Sequence, residues 1–154
     1  MKRFFTTAFM LSLSQVAIAE AGAVDVPEEA KAAVAIVDRF FASLSSGNLD
    51  QAGGLLAPEV VILESGGAEH SAAEYLGNHA KADAEYLKGA RQTLKRRTAR
   101  IAGNAVWVAT ESELETLKDG KPAVADSTET MVLRSTDSGW KIVHIHWSSR
   151  TKSR

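Results

Sequence analysis

The stretch Gly139-Trp140-Lys141-Ile142-Val143-His144-Ile145-His146-Trp147-Ser148-Ser149 decides the fold. It is rich in β-branched and aromatic residues and follows a Ser138-Gly139 turn, so it reads as a long strand. Working backwards, Asp126–Ser135, Ala105–Leu117 and Gln92–Ile101 share that composition. Asp119-Gly120 and Gly103-Asn104 separate them as hairpin turns. Four consecutive hairpin-linked strands make an antiparallel sheet.

In strict alternation the last strand is apolar on both faces. Trp140 and Ile142 fall on one face, together with His144, His146 and Ser148. Val143, Ile145 and Trp147 fall on the other. One face fills a core, and the other stays an exposed apolar patch unless a second subunit covers it. The expectation is a homodimer through the outer face of the sheet.

Upstream of the sheet the spacing turns helical. Pro27 suits a first helical position, and Val34, Val37, Phe40, Phe41 and Leu44 make an apolar stripe that ends at Ser45-Ser46-Gly47. Asn48 caps a short second helix that Pro58 closes. Val60–Leu63 is a short β-rich run, and Gly66-Gly67 turns the chain. Ser71 to Glu74 reads as a capping box, opening a third helix that runs to Lys88 before Gly89. The predicted fold is α+β: three N-terminal helices packed on a curved antiparallel sheet, with a cavity between them.

The chain ends bear on compartment. Met1-Lys2-Arg3, an apolar stretch from Phe4 to Ala19 and the small pair Ala17/Ala19 match a cleavable signal peptide over residues 1–19. The stretch is short and hydroxyl-diluted for a membrane span. The expected location is periplasmic or secreted, with no stable membrane anchor after cleavage. Residues 20–27 read as a linker, 28–150 as the domain and 151–154 as a basic tail. Cleavage leaves 135 residues and, because it removes Lys2 and Arg3 and no acid, moves the net charge from −1 to −3. That charge argues against nucleic acid as a partner. The basic run Lys95-Arg96-Arg97 is split between two strand faces. There is no cysteine, which excludes disulfides, thiolate catalysis and Cys-ligated metals.

The last strand also carries a resemblance. Gly139–Ser149, with its His-x-His-x-Ser ending, resembles the closing strand of nuclear-transport-factor-2-like proteins, and is most similar to the SnoaL-like branch. The kinase association domain of the calcium/calmodulin type ends similarly. Val37-Asp38-Arg39-Phe40-Phe41 followed by Gly47-Asn48-Leu49-Asp50 matches how such domains begin. The resemblance implies a cone-shaped, cystatin-like, dimer-forming fold with a pocket at its wide end. It implies no single activity, since the superfamily includes ketosteroid isomerases, cyclases, dehydratases and proteins that only bind or assemble. The isomerases' catalytic Tyr and Asp pair has no residue-by-residue counterpart in this sequence.

Several ionisable residues stand out. His79 and Asp83 interrupt the apolar stripe of the third helix, four residues apart and so on one face. His144 and His146 share a strand face. Glu64 ends a strand at the Gly-Gly turn, Glu111 breaks an apolar strand, and Glu129 sits among Thr128, Thr130 and Met131. Arg150 lies on the His146 face. Tyr75 and Tyr86 can lend phenols to a cavity, whereas Trp107, Trp140 and Trp147 read as packing.

Three functions fit these residues. The first is a non-catalytic small-molecule-binding or assembly domain, with a pocket formed by His79, Asp83, His144, His146, Tyr75, Glu129 and Arg150. The second is a general acid–base enzyme of isomerase, cyclase or dehydratase type, using Asp83, His79 or Glu64. The third is a divalent-metal site, zinc or copper, on His79, Asp83, His144 and His146.

Overall fold

The computed structural model describes residues 22–118 and 120–152. The expected signal peptide lies outside the described residues. Among those residues no helix is long and apolar enough to cross a membrane.

Among the described residues four α-helices and seven strands follow one another: β1 (Ala23–Asp25), α1 (Lys31–Ser45), α2 (Leu49–Leu55), β2 (Leu56–Glu64), β3 (Gly67–Glu69), α3 (Ala72–Gly77), α4 (Ala80–Leu87), β4 (Arg91–Ala102), β5 (Ala105–Lys118), β6 (Lys121–Thr136) and β7 (Gly139–Thr151). The strands form one sheet in the order β1-β4-β5-β6-β7-β2-β3. β4 to β7 are the antiparallel hairpins read from the sequence, and the helices pack on one face, so the α+β class holds.

The turn chemistry explains the helix ends. Gly47 takes φ +74°, which a Cβ would oppose, and so ends α1. The Asn48 side chain then accepts from the Gln51 amide at 3.0 Å and starts α2. Ser71 Oγ accepts from the Glu74 amide, while Glu74 reaches back to the amide of His70. This is a capping box displaced by one residue on its return arm.

Four expectations need correction. Residues 20–27 are not simply a linker, because Ala23–Asp25 pairs in parallel with Arg96–Thr98 and Arg100 binds Asp25. Pro58 does not close a helix, since α2 stops at Leu55 and Pro58 lies inside β2. The third helix is two helices. Gly77 and Asn78 are poor helix formers, and Asn78 leaves helical geometry (φ −117°, ψ −96°), so the chain restarts at His79.

The fourth correction concerns the last strand. Leu133 pairs with Ile142 and Val132 with His144, so Val143 is one residue too many. That β-bulge inverts the alternation beyond it. Ile142 and Ile145 are therefore both fully buried, and Trp147 packs inward. The second apolar face expected for this strand does not exist. Further register shifts in β4 and β2 add to the bending that opens space beneath the helices.

The core is the helix-side surface of the sheet. Phe40 of α1 and Tyr75 of α3 are fully buried against Val60, Ile62, Met131, Leu133, Ile142 and Ile145. Each such side chain contributes about 1.5–3 kcal/mol of burial free energy.

Candidate functional site

A cleft of about 70 Å³ opens between α1, α4 and the inner sheet face. One buried water needs roughly 10–15 Å³, so the cleft has space for several waters or a small part of a larger molecule. Its apolar wall includes Phe40, Phe41, Leu44, Leu87, Leu114 and Trp147. Its ionisable lining residues are Glu64, Asp83, Tyr86 and Glu129.

Each polar group owes its place to a different element. α4 aims Asp83 inward, where Tyr75 Oη of α3 donates to Asp83 Oδ2 at 2.8 Å. The Tyr75 ring is fixed by Phe40 (centroids 6.5 Å apart) and Trp147 (6.3 Å). Glu64 comes from the end of β2, beside Asp83. Burial pushes its carboxyl up to about 6, with the negative charge of Asp83 raising it further and His79 opposing. Burial also raises Asp83, against the opposing Tyr75 hydrogen bond. The Tyr75 phenol is raised by the same burial and by Asp83.

His79 sits at the start of α4, where its side chain makes no cap. Its Nδ1 instead meets Glu69 Oε1 of β3. The Glu69 side chain is only 4% exposed and that of His79 62% exposed. The Glu69 hydrogen bond, followed by its charge, raises the His79 pKa.

A second network meets the cleft from the β4 side. Trp147 Nε1 donates to Glu129 Oε2 at 2.7 Å. Buried Arg97 donates from Nε to Thr110 Oγ1 at 3.2 Å and from Nη1 to Asp38. The Thr110 hydroxyl faces Glu129 as well. Burial raises the Glu129 pKa, and the Trp147, Arg97 and Thr110 interactions oppose it.

The structure thus brings together Glu64, Asp83, Tyr75, His79 and Glu129 from the sequence-predicted residues. It separates the others. The bulge turns His144 and His146 to the outer sheet face, where His144 Nδ1 donates to the Val61 carbonyl at 2.9 Å. Arg150 is exposed, 3.9 Å from Asp126. Glu111 is exposed beside Arg96. The four residues named for a metal therefore lie on two sides of the sheet. Among the described residues no group of three or more His, Asp or Glu side chains is placed to hold an ion.

Sequence reading missed Glu69, Arg97 and the role of Trp147. Glu69 sits on a three-residue strand, too short to show a pattern. Trp147 reads as packing in the sequence and does pack, but its indole N–H also positions Glu129.

Residues 33–151 match a family described as a SnoaL-like domain. No curated protein matches the chain. A candidate ketosteroid isomerase from Shewanella frigidimarina is 34% identical, with a TM-score of 0.72, over 82% of this chain and 100% of its own. A candidate calcium/calmodulin-dependent protein kinase II association domain from Xanthomonas campestris is 22% identical, with a TM-score of 0.71, over 86% of this chain and 97% of its own. A candidate dehydratase of the nuclear-transport-factor-2-like family from Streptomyces avermitilis is 16% identical, with a TM-score of 0.69, over 79% and 96%. The last two likenesses are of fold alone.

Proposed function

The chain belongs to the SnoaL-like domain family, and on that premise we propose that it is a small-molecule-binding protein whose ligand enters the cleft between α1, α4 and the sheet. The observation that carries this reading is the cleft's lining: aromatic and aliphatic walls with a few convergent polar groups, the usual make-up of a ligand site. A panel of small aromatic fragments titrated into the purified protein is expected to shift the Trp147 indole N–H resonance and the Ser149 amide. Silence at both positions with every fragment at millimolar concentration removes the proposal.

One observation favours a second reading, general acid–base chemistry in the same cleft. Glu64, raised to about 6 and set beside another raised carboxyl, Asp83, suits proton transfer near neutral pH. The name of the 34% identical Shewanella protein agrees with such chemistry. The carboxyl carbon of Glu64 is expected to titrate with a midpoint near 6. A midpoint at the ordinary glutamate value removes Glu64 as the proton-transfer group.

We also propose self-association through the outer sheet face, which suits a superfamily whose solved members include an association domain and a kinase hub by name. Trp107 is 37% exposed there, at register with Val132, and Val61 and Leu63 lie across from His144 and His146. Trp107→Glu places a charge in that patch. The wild type is expected to scatter light as a dimer at micromolar concentration and the variant as a monomer. A monomeric wild type sinks this proposal.

A further inference from the structure

Resting on the reading of the cleft as a small-molecule site, we propose that its occupant is a small organic ammonium ion with an apolar body. Three carboxyl side chains, Glu64, Asp83 and Glu129, line the cleft from three different elements, β2, α4 and β6. Among the described residues no lysine, arginine or histidine lines it. The nearby cationic groups make their direct ion pairs elsewhere, His79 with Glu69 and Arg97 with Asp38, and act on the cleft carboxyls only through space, His79 on Glu64 and Asp83 and Arg97 on Glu129.

Carboxylates gathered beside apolar walls are costly without a counter-charge. Burial already holds the Glu64 and Asp83 carboxyls above their ordinary range, and the charges of neighbouring acids, Asp83 on Glu64 and Glu69 on both, raise them further. A cation between them relieves both effects at once. An anion meets three acids, and a neutral molecule adds no counter-charge inside the cleft.

Glu129 is prepared for the same role. The Trp147 indole donates to it. The Thr110 hydroxyl already accepts from Arg97 Nε, which frees its own proton for the Glu129 carboxylate. Two neutral donors thus orient an acceptor at the cleft wall without neutralising it. The walls supply the second half of ammonium recognition. Phe41, Tyr86 and Trp147 border the space and keep accessible surface there, and aromatic rings attract a desolvated cation. The same rings bury the ligand's apolar body.

Benzylammonium, benzyl alcohol and benzoate have nearly equal size and differ in charge. Titrated into the purified protein at neutral pH, with the Trp147 indole resonance as readout, benzylammonium is expected to bind at least about tenfold more tightly than the alcohol. Benzoate is expected not to bind. Glu129→Gln keeps the shape, and the cation's preference over the alcohol is expected to fall below about threefold. Asp83→Asn, which leaves the Trp147 contact alone, is expected to lower the preference likewise and serves where the first variant does not fold.

Equal or tighter binding of the alcohol or of benzoate overturns the ammonium inference and leaves the small-molecule reading standing. An unchanged preference in both variants also overturns it. No response to any of the three probes overturns it too, and the small-molecule reading then falls only if the wider fragment panel is silent as well.

Discussion

Phe40→Ala is expected to destabilise the protein by about 3–5 kcal/mol, the range for removing a fully buried phenylalanine. Phe40 has no exposed surface. Its ring stacks on Trp147 with centroids 6.2 Å apart and planes 18° from parallel, and it meets Tyr75 at 6.5 Å. Deleting it removes transferred area, leaves a cavity and takes away aromatic pairing worth about 0.5–1.5 kcal/mol per pair. For a domain of this size the midpoint of thermal unfolding is expected to fall by about 10–20 °C. Phe40→Leu refills most of the volume and is expected to cost about 1–2 kcal/mol. Chemical denaturation of the three proteins tests this, and a loss below about 1 kcal/mol for the alanine variant contradicts the packing described.

The effect reaches the site because Phe40 belongs to both core and cleft. It holds Tyr75, which donates to Asp83, and Trp147, which donates to Glu129. The carboxyls that line the cleft are thus oriented by donors that the core itself fixes. In the alanine variant the Trp147 indole resonance is expected to broaden even under conditions where the protein remains folded.

Much of the fold was legible because it rests on local chemistry. Turn residues at Gly103-Asn104, Asp119-Gly120 and Ser138-Gly139 mark three hairpins, and composition marks the strands between them. Caps at Asn48 and Ser71 are read from residue type and spacing alone. What failed depended on single non-local events. One extra residue in β7, Val143, reversed which side chains face the core. Strict alternation from Trp140 puts His144 and His146 on the core side and Trp147 outside, and the extra residue reverses all three. The break at Gly77-Asn78 was visible as weak helix formers, yet only the pairing of His79 with Glu69 of β3 shows what the restart serves.

The candidate site divides in the same way. His79 and Asp83 were found because they interrupt a periodic stripe. Glu64 and Glu129 were named, but strand register decides which carboxylates face inward, and register is set by tertiary pairing. Arg97 was hidden for another reason. It stood in a basic run that reads as a solvated strand, and burial selected it alone among its neighbours, while Lys95 and Arg96 stay exposed.

Arg97→Met is the second substitution with a large expected effect, about 2–3 kcal/mol at pH 8. Methionine fills most of the stem volume, so the loss is chiefly polar. The substitution removes the hydrogen bonds to Thr110 and Asp38 and the positive charge facing Glu129. Removing one partner of a buried charged pair typically costs about 3–5 kcal/mol, because the other charge is left uncompensated. The figure is lower here because Asp38 is 60% exposed and water replaces its partner.

Glu129→Gln isolates the uncompensated part. In that background Arg97→Met is expected to cost at least about 1 kcal/mol less, which is the coupling between the two positions. The sign of the pH dependence follows from Glu129, whose pKa is raised in the folded protein. A carboxyl raised on folding binds its proton more tightly when folded, so its contribution to stability is present at low pH and is lost as pH rises through the folded value. Without Arg97 that folded value moves higher still. The penalty of Arg97→Met is therefore expected to grow from pH 5 to pH 8 in the wild-type background and to stay flat in the Glu129→Gln background. Equal costs in both backgrounds at pH 8 would show that Arg97 acts through Asp38 and Thr110 alone and that its charge does not support the cleft carboxylate.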